Sequence, residues 1–301
     1  MTDFLANLGR LLLLALGYVV LFTIGTLFVP PVEQSEDLRL QAVEALLIVA
    51  LVDSALVLAV VRTSRLHGVK LILLVAGVFY VVKTVSSQIE ALYFVPNVTG
   101  PMLPWLLTMT VPLALGLAPL AVWVGGRLRG GPLDEAPGWV PLPMGEDQAW
   151  VKGALLSAAV YPVLFFAAGW FIAFRSPEVR TFYGGVHGSD VLSHYAWVFS
   201  HDPLLYPLEV GRGALWVAAA LPLLRTTRGA WWVGALHVAL WFSLVQNDVQ
   251  LMPNHLMTPE LRLHHFMEAA ASNFAFAWVI GWLLSRSHAP HPFAHGPMAP
   301  A

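Results

Sequence analysis

An all-α polytopic integral membrane bundle of about eight transmembrane helices, with N- and C-termini cytoplasmic, is the fold this sequence predicts. Three observations carry the prediction. Only 11% of the 301 residues are charged and 57% are hydrophobic, where a soluble domain carries about 25% charged residues. Mean hydropathy is +0.69. Several apolar runs reach the roughly 18–20 residues a helix needs to cross a bilayer.

The runs succeed one another in order. The first, 11–29, is too long for a signal-peptide core and lacks a small-residue exit, so it reads as a retained span that Pro30 and Pro31 stop. Span two covers 42–61 and is interrupted by Asp53. Span three covers 71–95 and contains Lys83, Ser87, Gln88 and Glu90, and span four covers 104–124. Residues 125–152 are rich in Gly and Pro without a period and read as a flexible linker. Span five covers 153–174. A long loop, 175–211, comes next, in which VLSHYAWVF suggests a short interfacial helix. Span six, 212–224, is short unless it begins near Leu205. Span seven covers 230–246 and carries His237. Span eight opens with Thr258 as N-cap and Pro259 as first helical residue. The expected organisation is a four-span half, 1–124, the cytoplasmic linker 125–152, a second four-span half, 153–286, and a disordered His/Pro tail, 287–301.

Orientation rests on the basic residues. Eight spans put both termini on one side with Arg10, Arg62, Arg65, Lys70, Arg127, Arg129, Lys152, Arg225, Arg228 and Arg286. The other side holds Arg39, Arg175, Arg180, Arg212 and Arg262, a split of ten against five. The positive-inside rule makes the richer side cytoplasmic. The expected location is a cell membrane, that of the bacterial inner membrane type, and the expected partners are lipid and an unidentified small molecule or ion.

Composition narrows the chemistry. With no cysteine, disulfide and thiolate chemistry are excluded. A net charge of −2 gives no reason to expect nucleic acid. No GxxxxGK[ST], GxSxG, HExxH or GxGxxG motif supports a kinase, serine-hydrolase, zincin or dinucleotide-binding reading.

The candidate site lies toward the outer ends of spans three and eight. Charges inside a span are costly and face the bundle interior. Glu90 and Glu268 fall at similar depth, roughly 7 Å below the outer interface at 1.5 Å per residue. Glu90 shares a helical face with Lys83 and Ser87 and is expected to pair with Arg212 or Arg262, then with His265. His264, His265 and Glu268 are spaced three or four apart, so imidazole and carboxylate meet on one helix. A divalent metal ion on His264, His265, Glu268 and His237 is therefore the cofactor to consider. A haem would need a second deep histidine facing His237, and none is evident. The expectation is one outward-facing pocket in which Glu90, Glu268 and His265 act as acid/base or ligand groups. Lys83, Gln88, Arg180, Tyr183, Arg212, Asn247, Arg262 and Asn273 would touch substrate. Plainer alternatives stand beside each candidate: an ion pair that fixes helix register for Glu90, a hydrated helix entry for His264 and His265, and a backbone-bonded core histidine for His237. Three function classes remain, in order: a transporter or ion- or proton-coupled permease, a membrane-embedded metal-dependent or acid/base enzyme, and a structural or regulatory protein without substrate. The sequence does not decide whether the chain is an enzyme.

Overall fold

The computed structural model describes residues 2–29, 35–95, 98–130, 146–254 and 257–285. The centre of the linker, the His/Pro tail and Arg286 lie outside the described residues.

The chain forms an all-α membrane bundle, and no strand occurs among the described residues. Seven helices are long and apolar enough to cross a membrane. We number the helices α1 (Thr2–Thr26), α2 (Glu36–Thr63), α3 (Gly68–Phe94), α4 (Gly100–Val124), α5 (Asp147–Arg175), α6 (Pro177–Phe182), α7 (Val191–His201), α8 (Leu205–Thr226), α9 (Trp231–Leu240) and α10 (Pro259–Ser285). The expected seventh span is the short one. Helix α9 continues only through a π-helical turn, Trp241–Val245, before the chain breaks into a 3₁₀ turn at Asp248–Leu251. It runs antiparallel to α10: Ala235 packs on Gly281 near one end, and Asn273 bonds Gln246 toward the other.

The stretch 175–211 is not a loop throughout. It contains α6, α7 and the start of α8. Asp190 caps α7 in a capping box, its carboxylate accepting from the Leu192 and Ser193 amides while the Ser193 hydroxyl caps the Asp190 amide. Ser176 caps α6 by accepting from the Glu178 and Val179 amides, with Pro177 at the first helical position. Helix α10 begins as the sequence suggests, since the Thr258 hydroxyl accepts from the Leu261 amide.

Hydrogen bonds tie three connections into one end of the bundle. Ser64 pairs with Thr227 in an isolated bridge. The Arg65 amide donates to Thr226 O at 2.6 Å, and the Arg228 amide to Thr63 O at 2.7 Å. Gly68 N donates to Arg127 O at 2.8 Å, and the Arg127 guanidinium donates to Ser64 O and Leu66 O. At the N-terminal start of α1, Asn7 accepts from Arg62 at 2.8 Å, which brings it to this same Arg-rich end. The opposite end is built by α6, α7 and the 246–254 segment.

The surface is apolar where lipid would lie. Leu12, Leu16 and Val20 of α1, Leu47 and Ile48 of α2, Leu73 of α3 and Val163 of α5 are all exposed. A large continuous apolar surface of this kind marks contact with membrane. The interior is the converse. Tyr18, Trp216, Trp241, Phe242 and Phe276 fill the core, where Phe79 and Trp241 meet edge to face at 6.1 Å. Gly281 lets α10 approach α9, because a Cβ there would overlap the Ala235 Cβ and Cα.

Candidate functional site

Two clusters of charge lie inside this apolar core. The first joins α2, α3 and the turn after α9. The Lys83 ammonium donates to Asp53 at 2.9 Å and to both oxygens of Asp248. The Tyr18 hydroxyl donates to Asp53 at 3.1 Å, and the lysine lies 5.7 Å from the Tyr18 ring centroid. Asp53 is completely buried, and its second oxygen has no partner among the described residues. Lys83 lies about 22 Å along α3 from Gly68 and about 16 Å from Phe94, taking 1.5 Å per residue. The cluster is thus near mid-membrane depth.

The second cluster joins α3 and α8. The Arg212 guanidinium donates to both oxygens of Glu209 at 2.9 Å and to Glu90 at 3.0 Å. It also lies over the Tyr161 and Phe165 rings at 5.7 and 5.3 Å. Glu209 and Arg212 are fully buried, while the Glu90 side chain keeps 18% exposure. Each cluster holds two carboxylates and one cation, a formal charge of −1.

One turn of chain connects the two. Gln246, Asn247 and Asp248 are consecutive where α9 ends. Gln246 donates to Glu90 at 2.9 Å, and Asp248 receives Lys83. Between them, the Asn247 amide donates to the Phe242 and Ser243 carbonyls at 3.1 and 3.0 Å and so closes the end of the helix. Asn273 extends the network by donating to Gln246 Oε1 at 3.1 Å and accepting from Tyr161. The Ser87 hydroxyl donates to Gln246 O. Irregular backbone at membrane depth survives only where protein or a polar cavity satisfies it, and these bonds meet that requirement. Three π-helical turns flank the clusters: Val81–Val85 around Lys83, Leu156–Val160 against Gly213, and Trp241–Val245 just before Gln246. Such turns concentrate at functional sites.

Among the cavities at the α6–α7 end, two reach Glu90, His265 and Glu268. The smaller, about 150 Å³, is lined by Glu90, Gln88, Gln246, Asn254, Tyr183 and His265 among others. The larger, about 390 Å³, has Glu268 on its wall. Phe94 and Tyr183 line both and separate them. Glu90 and His265 therefore share one cavity, and Glu268 faces the next. His265 joins the two walls: its Nε2 is 3.2 Å from the Tyr183 hydroxyl and its Nδ1 is 3.4 Å from Glu268. In the larger cavity burial, together with neighbouring His187, holds His194 below the usual imidazole range. Burial, together with the Glu268 charge, pushes the Tyr195 hydroxyl up. That hydroxyl donates to Phe166 O at 2.7 Å.

Not every expected residue joins these groups. His264 turns back onto Glu260 O at 3.0 Å. His237 lies beside Thr63, Nδ1 to Oγ1 3.4 Å, roughly 20 Å along the bundle from His265 at 1.5 Å per residue. The donor set His264, His265, Glu268 and His237 is not brought together, and no group of three or more His, Asp or Glu among the described residues is placed to hold a metal ion. Arg180 is exposed and donates to Phe174 O. Arg262 is buried and stands apart from Glu90; its Nε and Nη1 have no partner among the described residues. Lys83 pairs across the bundle rather than along its own helix face. Asp53, Asp248 and Glu209 were not among the expected site residues, although each is a carboxylate within or beside an apolar run, which is the signal that selected Glu90.

No family model, curated protein or solved structure matches this chain.

Proposed function

We propose that this protein is a proton- or monovalent-cation-coupled carrier of a small molecule. The observation that carries the reading is the broken helix α9, which ends inside the bundle and places Asp248 in one buried cluster and Gln246 against the other, each of formal charge −1. A buried net charge is costly. One proton or one monovalent cation per cluster removes it, and losing that charge carrier would favour a different arrangement of the helices. Discontinuous helices whose unwound ends face coupling ions at mid-membrane are a recurrent carrier device. Asp53, Lys83 and Asp248 form the coupling site in this reading. Glu90, Arg212 and Glu209 relay its state to the cavities lined by Glu90, His265 and Glu268. An acid/base enzyme at the same carboxylates is the second reading, supported by the Glu268–His265–Tyr183 contacts.

The test is proton movement in proteoliposomes loaded with a pH-sensitive dye. Gradients of amines, carboxylates, amino acids and sugars are imposed in turn. At least one class should drive proton flux in the wild type and none should do so in Asp248→Asn. If no solute gradient moves protons or sodium ions in the wild type, the carrier reading fails.

Carriage also requires an orientation, and the Arg-rich end is taken as cytoplasmic. The chain has no cysteine, so a single cysteine introduced at Ala230, exposed in the same Arg-rich turn, reports it cleanly. That position should be protected from a membrane-impermeant maleimide in intact cells and labelled after lysis. Labelling in intact cells would reverse the orientation.

A further inference from the structure

The larger cavity has a composition of its own. Its volume, about 390 Å³, falls in the range of small-molecule sites. Tyr93, Phe166, Tyr195 and Trp197 stand in its wall with four further aromatic side chains, and Asp202 and Glu268 are its two carboxylates. No lysine or arginine among the described residues lines it. On the core side the Arg212 guanidinium lies 5.3 Å from the centre of the Phe165 ring and is matched by Glu90 and Glu209. Arg175 and Arg180 line a separate cavity beyond Phe174.

The two carboxylates are placed differently. Asp202 accepts from the Tyr93 hydroxyl at 2.6 Å and 2.7 Å, which fixes it at one edge. Beside it the Trp197 ring stacks on His187 at 3.4 Å and on His201 at 4.0 Å. Glu268 lies at the α5 side, where Gly169 leaves room. A Cβ at Gly169 would come within 2.9 Å of the Tyr195 hydroxyl and 3.2 Å of a Glu268 oxygen. Residue 169 therefore leaves open the space in front of that carboxylate.

We propose that this cavity binds an organic cation, an amine with an apolar body. Aromatic faces present negative charge to a cation and attract it, most strongly where the pair is shielded from water. The carboxylates supply charge-assisted acceptors for its N–H groups. An anion would meet two carboxylates and, among the described residues, no lysine or arginine. A neutral polar solute would leave both carboxylates uncompensated. Burial and neighbouring His187 hold His194 below the usual imidazole range, which disfavours a further positive charge there. This names a substrate class for the carrier reading and rests on that reading for the cargo role, while binding itself is measured without a membrane gradient.

The experiment is isothermal titration calorimetry on the purified full chain in detergent. Three probes of similar shape are compared: 2-phenylethylamine, 2-phenylethanol and phenylacetate. The amine should bind and the alcohol and acid should bind roughly tenfold or more weakly, the scale of one charged hydrogen bond. Glu268→Gln and Asp202→Asn should each weaken the amine by about tenfold on the same scale and leave the alcohol unchanged. Gly169→Ala should weaken it as well by filling the space before Glu268. Asp202 lies at the end of α7, away from the buried clusters, so its variant keeps the test open if Glu268→Gln does not fold. Equal binding of amine and alcohol, no amine binding, or folded carboxylate variants with unchanged affinity would each overturn the proposal. Amine binding without any coupled flux would remove the carrier reading and leave the cavity assignment standing. Flux driven by another solute class without amine binding would do the reverse.

Discussion

Replacing Lys83 by methionine should strongly destabilise the bundle in detergent. The ammonium is the single cation matched to Asp53 and Asp248, and all three groups are buried. Methionine conserves the length of the stem and removes the charge. Two carboxylates are then left facing each other in an apolar interior, with Tyr18 alone still donating to one of them. Breaking a buried ion pair from one side costs about 3–5 kcal/mol, a large share of the roughly 5–15 kcal/mol that holds a folded domain. The expected result is a lower thermal midpoint and aggregation on size exclusion. Removing the acids as well, in Lys83→Met/Asp53→Asn/Asp248→Asn, should recover most of the stability, because replacing a whole buried ionic group is often near neutral. It should not recover coupled proton flux. A Lys83→Met protein as stable as the wild type would mean that the triad is not the buried ionic unit described above.

The second large effect is expected at Arg212. Its guanidinium satisfies three carboxylate oxygens at 2.9–3.0 Å and covers two aromatic rings. Arg212→Met strands Glu209, which is completely buried, and should again cost about 3–5 kcal/mol. Arg212→Lys should be intermediate. A lysine supplies the charge without the planar fork that holds Glu209 by two bonds while reaching Glu90 by a third. Glu90→Gln is the informative contrast. It leaves Arg212 and Glu209 matched one to one, so thermal stability should change little while any proton response of this cluster disappears. If Glu90→Gln destabilises as strongly as Arg212→Met, the cluster is a structural clamp and does not carry a proton.

Some of this arrangement was legible before any coordinates. The path of Glu90 into the core stems from the expense of a carboxylate in hydrocarbon, and its partner Arg212 was among the few cations at that depth. The caps of α6 and α7 were also written in the chain, as Ser176–Pro177–Glu178 and Asp190 with Ser193. The α7 helix was expected from VLSHYAWVF, while low hydropathy left α6 and the first turns of α8 inside the stretch read as a loop.

The pairing of Lys83 could not be read in that way. Regular helical spacing puts residues 83, 87 and 90 on one face. The π-helical turn Val81–Val85 adds a residue to the turn and rotates the remainder of α3, so Lys83 faces Asp53 and Asp248 while Glu90 faces Arg212. The early end of α9 was hidden for a similar reason. Residues 230–246 are apolar enough to read as an ordinary span, and only packing against α2, α8 and α10 shows where the helix gives way to Gln246–Asp248.

The sequence by itself determined that this is a multi-pass helical membrane protein, where α10 starts, and that Glu90 belongs in the interior beside a cation such as Arg212. Hydropathy and local capping are properties of consecutive residues, and they suffice for that. Only the tertiary structure decided which buried charges meet, that Glu90 and Glu268 face adjoining cavities, and that His237 stands apart from His265. Those facts depend on the rotation and length of each helix relative to its neighbours. One π turn or one early stop alters them without changing the composition of a span.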